Sequence, residues 1–423
     1  MGAGIFEVIA YSFCLLIIGF MFFTVFIKDD GQRYSVRILF AYTFVLKVII
    51  SIFLLRYIIS KHGDPYLAID TESFAGMAAK ISEVGLWSYE GYIPNSWEKM
   101  PHIYSLVFDL TGNNAIFLIL TWLLVASLIA IPVYHITYSI YNRKSAYVSS
   151  AAVLVYPSFV ALSVAPQKGI LTAFSICLIV LALIKNKLSI RYISLFLFGS
   201  FLLACARSEM LFVISMSAAI WVLYRKSYSG SARVTWRLVL YLGLLFLLSI
   251  YVVGTGYLLD LVDPESIRSR ISLVQGKAGA SAGVQDFVIN QNIFIRSVLG
   301  PVFLMIKPFP PWQTLSTLTL SALLTTGALS LYFISPYILG GTWSALAHKN
   351  TKLLVLIIIL TLLVSSAFMG AVTSRHRVQI MPLLLVFFAG GFVNKTVDKF
   401  HLFVYYIMFV LFVGLYISVK AVT

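Results

Sequence analysis

Apolar residues in this chain run in blocks of about 15 to 25 separated by short polar segments, and a block of roughly 20 is what a helix needs to cross bilayer hydrocarbon. The pattern predicts spans near 5–27, 38–59, 115–140, 147–164, 170–184, 191–206, 209–224, 238–259, 314–340, 353–370, 380–394 and 402–419, twelve in all. No soluble linker or repeat separates them, so residues 1–423 read as one all-α integral membrane domain, a polytopic helix bundle. Two long polar segments, about 61–114 and 260–313, interrupt it. The first apolar block lacks the basic start and small-residue cleavage site of a signal peptide and stays as the first span.

Composition changes little in this picture. The chain is 60% hydrophobic, 15% aromatic and 11% charged. A net charge of +15 raises nucleic acid as a partner, but the basic residues are spread over many short loops, the pattern of cytoplasmic retention, so nucleic acid is excluded. Cys14, Cys177 and Cys205 all lie in apolar blocks, which indicates neither a disulfide framework nor a thiolate metal site.

Loops 28–37, 141–146, 185–191, 225–237, 341–352 and 395–400 each carry Lys or Arg and are assigned to the cytoplasm. The long segments then face outward, since long loops translocate largely regardless of charge. Both termini come out external, provided that 191–224 counts as two short helices.

The first outer segment holds Asp64, Asp70, Glu72, Glu83, Glu90, Glu98 and Asp109. Within it Phe74, Met77, Ala78, Ile81 and Val84 recur at helical spacing, predicting a short helix in the membrane interface. Asp70 stands at its N-cap, Glu72 in its first turn and Gly85 at its stop, and Trp87, Tyr89, Tyr92 and Trp97 follow as interfacial anchors. On these residues alone Asp70 caps a helix and does no chemistry. His62, Asp64, Asp70 and Glu72 are the set that could hold a divalent cation; no other cofactor is indicated.

The stretch DTESFAGMAAKISEVGLW, residues 70–87, resembles the first outer loop of the GT-C superfamily, membrane glycosyltransferases that use polyprenyl-linked sugars. Further matches are YPSFVALSVAPQKGILTAFSICLIVLAL from Tyr156, with a turn at Pro166, Gln167 and Lys168; ACARSEM around Arg207; and SRHRVQIMPLLLVFFAGG with Arg375 and Arg377. KPFPPW at 307–312 resembles bacterial surface-polysaccharide membrane proteins, and the spacing from Arg268 to Gly279 resembles a motif in outer loops of O-antigen polymerases. The resemblance implies a GT-C-like fold in a bacterial cytoplasmic (inner) membrane with its active face outward. It implies a polyprenyl (undecaprenyl)-linked glycan as substrate, and membrane lipids and polysaccharide-assembly proteins as partners.

Glycosyl transfer from a polyprenyl diphosphate needs a base for the acceptor hydroxyl, for which Asp70 is the first choice and Glu72 the second. The leaving diphosphate needs positive charge, which arginine supplies through paired hydrogen bonds. Arg207, Arg375 and Arg377 are the candidates, with Lys168 and His376 behind them. Arg268, Arg270 and Trp312 of the second outer segment are assigned to the glycan. Each has a plainer reading. Arg207 can pair with Glu209 or reach outward from a helix end, and Arg375 and Arg377 can hold lipid headgroups. Lys47 and Arg56 read as structural, His102 as a loop residue, and His135 as a satisfied histidine within a span. Gly300, Pro301, Pro308 and Pro310 interrupt an apolar run that is expected to re-enter the membrane. The chain is thus expected to be an O-antigen or surface-polysaccharide repeat-unit polymerase. A single-sugar transferase using polyprenyl monophosphate and a flippase for lipid-linked oligosaccharide are the alternatives.

Overall fold

The computed structural model describes residues 5–27, 33–62, 69–85, 99–164, 166–185, 189–229, 243, 293–306, 320–367 and 374–422. Among these, every regular element is helical. In chain order they are α1 Ile5–Phe26, α2 Arg33–His62, α3 Ile69–Val84, α4 Met100–Thr111, α5 Ala115–Leu128, α6 Ala130–Ile140, α7 Arg143–Val155 and α8 Pro157–Val164. There follow α9 Lys168–Lys185, α10 Ile190–Ser229, α11 Ile293–Ile306, α12 Leu320–Ala345, α13 Lys349–Ala367, α14 Ser374–Arg377, α15 Met381–Val393 and α16 Lys399–Val422.

Six described stretches are long and apolar enough to cross a membrane: Ile5–Phe26, Val36–Tyr57, Ala115–Ile140, Arg143–Val164, Lys168–Lys185 and Ile190–Tyr224. Shorter apolar helices add Asn350–Ser365, Met381–Val393 and Lys399–Leu411. The chain is therefore a multi-pass helical membrane protein. Of the twelve expected spans, 238–259 lies outside the described residues apart from 243, and the runs at 191–206 and 209–224 fall in the one stretch Ile190–Tyr224. Through Gly300 and Pro301 the chain is helical, in α11; Pro308 and Pro310 of the expected re-entrant run lie outside the described residues.

Breaks in the long stretches have local causes. Pro157 opens α8 with no N–H to continue the α7 ladder, and Tyr156 before it is extended (φ −64°, ψ 119°). At the far side of α7, Tyr141 Oη donates to the Gly341 carbonyl (2.7 Å), and Asn142 Nδ2 donates to Asn394 Oδ1 (3.0 Å). Here α12 and α15 cross backbone to backbone. A Cβ placed on Gly341 would stand 2.8 Å from the Gly391 nitrogen, and one on Gly391 would stand 2.9 Å from the Gly341 nitrogen, so both positions require glycine.

These contacts define two ends of the bundle, one at Asn142 and one at Pro166. Helices α7 and α8 run from the first to the second, and α9 returns to Lys185. The first arm of α10 then ascends antiparallel to α9, with Gly199 against Ser175, Leu178 and Ile179. Its far end comes back to the Asn142 end, since Tyr224 Oη accepts from Lys352 Nζ, one turn into α13, and Lys352 lies 3.7 Å over the Tyr224 ring. A straight helix over the 35 residues Ile190–Tyr224 would be roughly 52 Å long and could not return. The reversal falls at Arg207, whose backbone is extended (φ −155°, ψ 87°) inside an otherwise helical run. Two arms of roughly 26 Å each therefore meet at Arg207, matching the expectation of two short helices.

Candidate functional site

Eight residues beyond Gly199 on α10, and eight back from its contacts on α9, place Arg207 level with Gly169 and Lys168 at the Pro166 end. Helix α4 crosses the same end. The Lys99 backbone N–H, just before α4, donates to the Cys205 carbonyl (3.2 Å), two residues ahead of the reversal. From α4, Tyr104 Oη donates to the Pro166 carbonyl (2.7 Å), while Trp122 Nε1 of α5 donates to the Gln167 carbonyl (3.1 Å). Helices α4, α5 and α10 and the Pro166–Gln167 turn, up to about 106 residues apart from Lys99 to Cys205, are thus held at one point by backbone carbonyls that a turn or a helix break leaves free to accept.

Helix α3 joins through an aromatic chain: Phe74 stands edge-on to Tyr104 (centroids 6.3 Å apart), and Tyr104 edge-on to Trp122 (4.9 Å). Ser82 Oγ donates to Asp109 Oδ1 and fixes the other ends of α3 and α4 together. Ala75, Ala78 and Ile81 form the buried face of α3, so its close approach is made on alanines; of the stripe expected on Phe74, Met77, Ala78, Ile81 and Val84, Ala78 and Ile81 are buried, Phe74 and Met77 half-buried and Val84 exposed. The helix starts at Ile69, which puts Asp70 inside its first turn and not on the flanking cap position, and Gly85 ends it with φ +94°. Glu72 is exposed on the same turn. The side chain of Asp70 lies outside the described residues.

Around the reversal the polar groups are buried. Arg207 is 7% and Glu209 4% exposed, with Arg207 Nη1 at 3.6 Å from Glu209 Oε1. That separation exceeds the 2.7–3.2 Å of a formed hydrogen bond. Ser208 is fully buried, and among the described residues neither Ser208 Oγ nor Glu209 Oε2 has a hydrogen-bond partner. Lys99 is exposed beside them, and His102, one turn into α4, is half-buried. Burial first, and the Lys99 charge second, hold the His102 imidazole below its ordinary pKa. Lys168 opens α9, partly exposed.

Arg377 of α14 sits elsewhere. Arg377 is 2% exposed, and its Nη1 donates to the Met305 carbonyl of α11 at 2.7 Å. Tyr156 and Tyr332 lie within electrostatic reach of it, and Tyr156 Oη donates to the Gly327 carbonyl at 2.8 Å. Tyr156 precedes the eight residues of α8, so this region is roughly 12 Å inward from the Pro166 turn. His376 is half-buried. The side chain of Arg375 and all of Arg268, Arg270 and Trp312 lie outside the described residues. Arg207 and Lys168 therefore lie at one level, at the Pro166 end, while Arg377 lies in the interior.

Deeper in the bundle, Lys47 of α2 is 3% exposed and donates to Ser127 Oγ (3.3 Å). His135 is satisfied as expected, its Nε2 at 2.8 Å from the Phe26 carbonyl. Among the described residues no three His, Cys, Asp or Glu side chains stand close enough to hold a metal ion; Asp64 is outside them.

Sequence reasoning missed α4 and, with it, the roles of Lys99 and His102 at this end. The signal is present: Pro101 at a helix start, then Met100, Tyr104, Val107 and Phe108 on one face, all buried.

No family model matches the chain, and no curated protein matches it. Among solved structures it is similar to the oligosaccharyltransferase AglB from Archaeoglobus fulgidus, in complex with an inhibitory peptide and a dolichol-phosphate, at a TM-score of 0.47 and 13% identity. The match covers 86% of this chain and 51% of that one, so the chain spans about half the length of its structural neighbour. A likeness at that level assigns neither substrate nor mechanism.

Proposed function

We propose that this protein is a membrane glycosyltransferase that takes glycan from a polyprenyl-(di)phosphate-linked donor at the Pro166 end, and that it polymerises surface-polysaccharide repeat units. The observation that supports the reading is the Lys99 N–H to Cys205 carbonyl bond together with the Phe74–Tyr104–Trp122 chain. Through them the helix that begins with Asp70 and Glu72 is docked beside a helix reversal bearing a buried arginine. Carboxylate and cation at one end of a bundle is what transfer to a hydroxyl with loss of a diphosphate requires. The acceptor O–H proton goes to the carboxylate, the new C–O bond forms at the anomeric carbon, and the bond to the diphosphate oxygen breaks with its electron pair held by the cations. In this reading Asp70 is the base with Glu72 behind it, Arg207 and Lys168 hold the diphosphate, and Arg375 and His376 supply further positive charge. Arg268, Arg270 and Trp312 serve the glycan. An outward-facing active site in a bacterial cytoplasmic membrane belongs to the same reading.

Asp70→Asn tests it. An amide still caps or begins a helix, so the variant should insert and unfold like wild type, yet it cannot take a proton and should make about 10²–10⁴-fold less polymer from purified lipid-linked repeat unit. Full activity would remove Asp70 from the chemistry and move the role to Glu72.

A second reading, a flippase for lipid-linked oligosaccharide, is favoured by Lys47 alone, a cation buried in mid-span and bonded to Ser127. Movement of labelled lipid across sealed vesicles without polymer formation is its mark.

A further inference from the structure

The pair at the α10 reversal is poorly made for a structural ion pair. A buried pair offsets the desolvation of its charges only when its geometry is good and its remaining oxygens are hydrogen-bonded. Here the N···O distance is 3.6 Å, the second carboxylate oxygen has no partner among the described residues, and neither has the neighbouring Ser208 hydroxyl, which is fully buried. Such a cluster suits a site whose proper ligand is a multi-oxygen anion: arginine binds phosphate oxygens through two parallel hydrogen bonds, and a buried hydroxyl gains an acceptor.

We propose that Glu209 is the resident counter-ion of a diphosphate subsite built from Arg207, Ser208 and Lys99, and that it gives up Arg207 when a diphosphate ester binds. The inference rests on the functional reading above for the lipid, but not for the anion. Charge fits the ligand class. Lys99, Lys168 and Arg207 are the three cations around the reversal itself, set against Glu209, and they suit the two negative charges of a diphosphate esterified at both ends better than the single charge of a monophosphate diester. Glu209 thereby sets a threshold. A weak or singly charged anion does not displace a carboxylate already present, and a diphosphate does.

The prediction has an unusual sign, since removing the carboxylate should strengthen binding. Full-length protein in detergent is titrated with farnesyl diphosphoryl-N-acetylglucosamine and, separately, with inorganic pyrophosphate. Glu209→Gln should bind the lipid diphosphate about tenfold more tightly than wild type, because a competing like charge is gone. Tightening for the lipid makes it the ligand; tightening for pyrophosphate alone keeps the subsite and makes a free diphosphate its occupant. Unchanged or weaker binding of both probes overturns the assignment. Ser208→Ala covers the case in which Glu209→Gln does not fold. Its hydroxyl makes no hydrogen bond among the described residues, so the variant should be as stable as wild type yet bind about threefold more weakly, and undiminished binding there also overturns the subsite. The parent reading fails separately: wild type that makes no glycan product while Glu209→Gln tightens diphosphate binding sinks the transferase and leaves the counter-ion standing.

Discussion

Two arginines, each nearly inaccessible, sit in opposite kinds of surroundings. Arg377 donates at 2.7 Å to the Met305 carbonyl and lies near two tyrosines in the interior of the bundle. Arg207 stands at a helix reversal with a carboxylate at 3.6 Å and two neighbouring polar atoms that have no partner among the described residues. Burial alone therefore does not mark a functional cation. What separates the two is the neighbouring polar atoms: beside Arg207, Glu209 Oε2 and Ser208 Oγ have no hydrogen-bond partner among the described residues, which leaves capacity for a ligand.

The largest effect that tests this contrast is on turnover. Arg207→Gln keeps a polar side chain at the reversal but loses the charge and the paired donors, and should lower the rate of glycan transfer about 10²–10³-fold, as loss of one donor to a developing anion does in other enzymes. Because the buried Glu209 carboxylate then loses its cation, the variant should also unfold earlier, and the rate is therefore compared per folded molecule. A variant that unfolds early but turns over normally per folded molecule would make Arg207 another Arg377.

The reverse is expected of Arg377→Ala. It strands the Met305 carbonyl and empties a fully buried volume, which together should cost about 2–4 kcal/mol of stability. Turnover per folded molecule should stay within a few fold. Thermal unfolding in detergent, read beside activity at a temperature where the variant is folded, checks both halves.

How far the sequence foretold this contrast differs between the two ends. Apolar blocks are read directly from residue type, and the stretches at 115–140 and 170–184 fall close to Ala115–Ile140 and Lys168–Lys185. Pro157 announces the α7–α8 break. Nothing of that kind stands at the α10 reversal: ACARSEM contains neither Gly nor Pro, and its only local sign is the polar triplet Arg207, Ser208 and Glu209 between two apolar runs. Arg207 and Arg377 are indistinguishable at that level, because the Met305 carbonyl lies 72 residues from Arg377. Its availability depends on where α11 packs, which no local pattern encodes. The α4 helix was legible by periodicity but was masked by its polar flanks, and the docking of Lys99 on Cys205 is tertiary.

The smallest expected effect is a pH dependence at the edge of the Arg207 cluster. His102 of α4 is pushed below its ordinary pKa, first by burial and then by the Lys99 charge. The unfolded chain binds its proton near pH 6.5 while the folded chain still resists it. Stability from this group is therefore complete above about pH 6.5 and falls as pH is lowered toward the folded-state value, because the unfolded state then holds more protons. His348, in the turn before α13 at the Asn142 end, is also pushed down, by burial, so the described residues contain a second group of the same sign. His102→Gln should flatten part of the loss of stability between about pH 6.5 and 5 by a few tenths of a kcal/mol, a modest figure because the imidazole is largely solvent-screened. His348→Gln should flatten a further part of it. Only His102→Gln should also change the pH dependence of diphosphate binding, since a proton on His102 adds positive charge beside Arg207 and one on His348 lies at the other end of the bundle. Equal effects of the two variants on binding would mean that the Pro166 end has no electrostatic identity of its own.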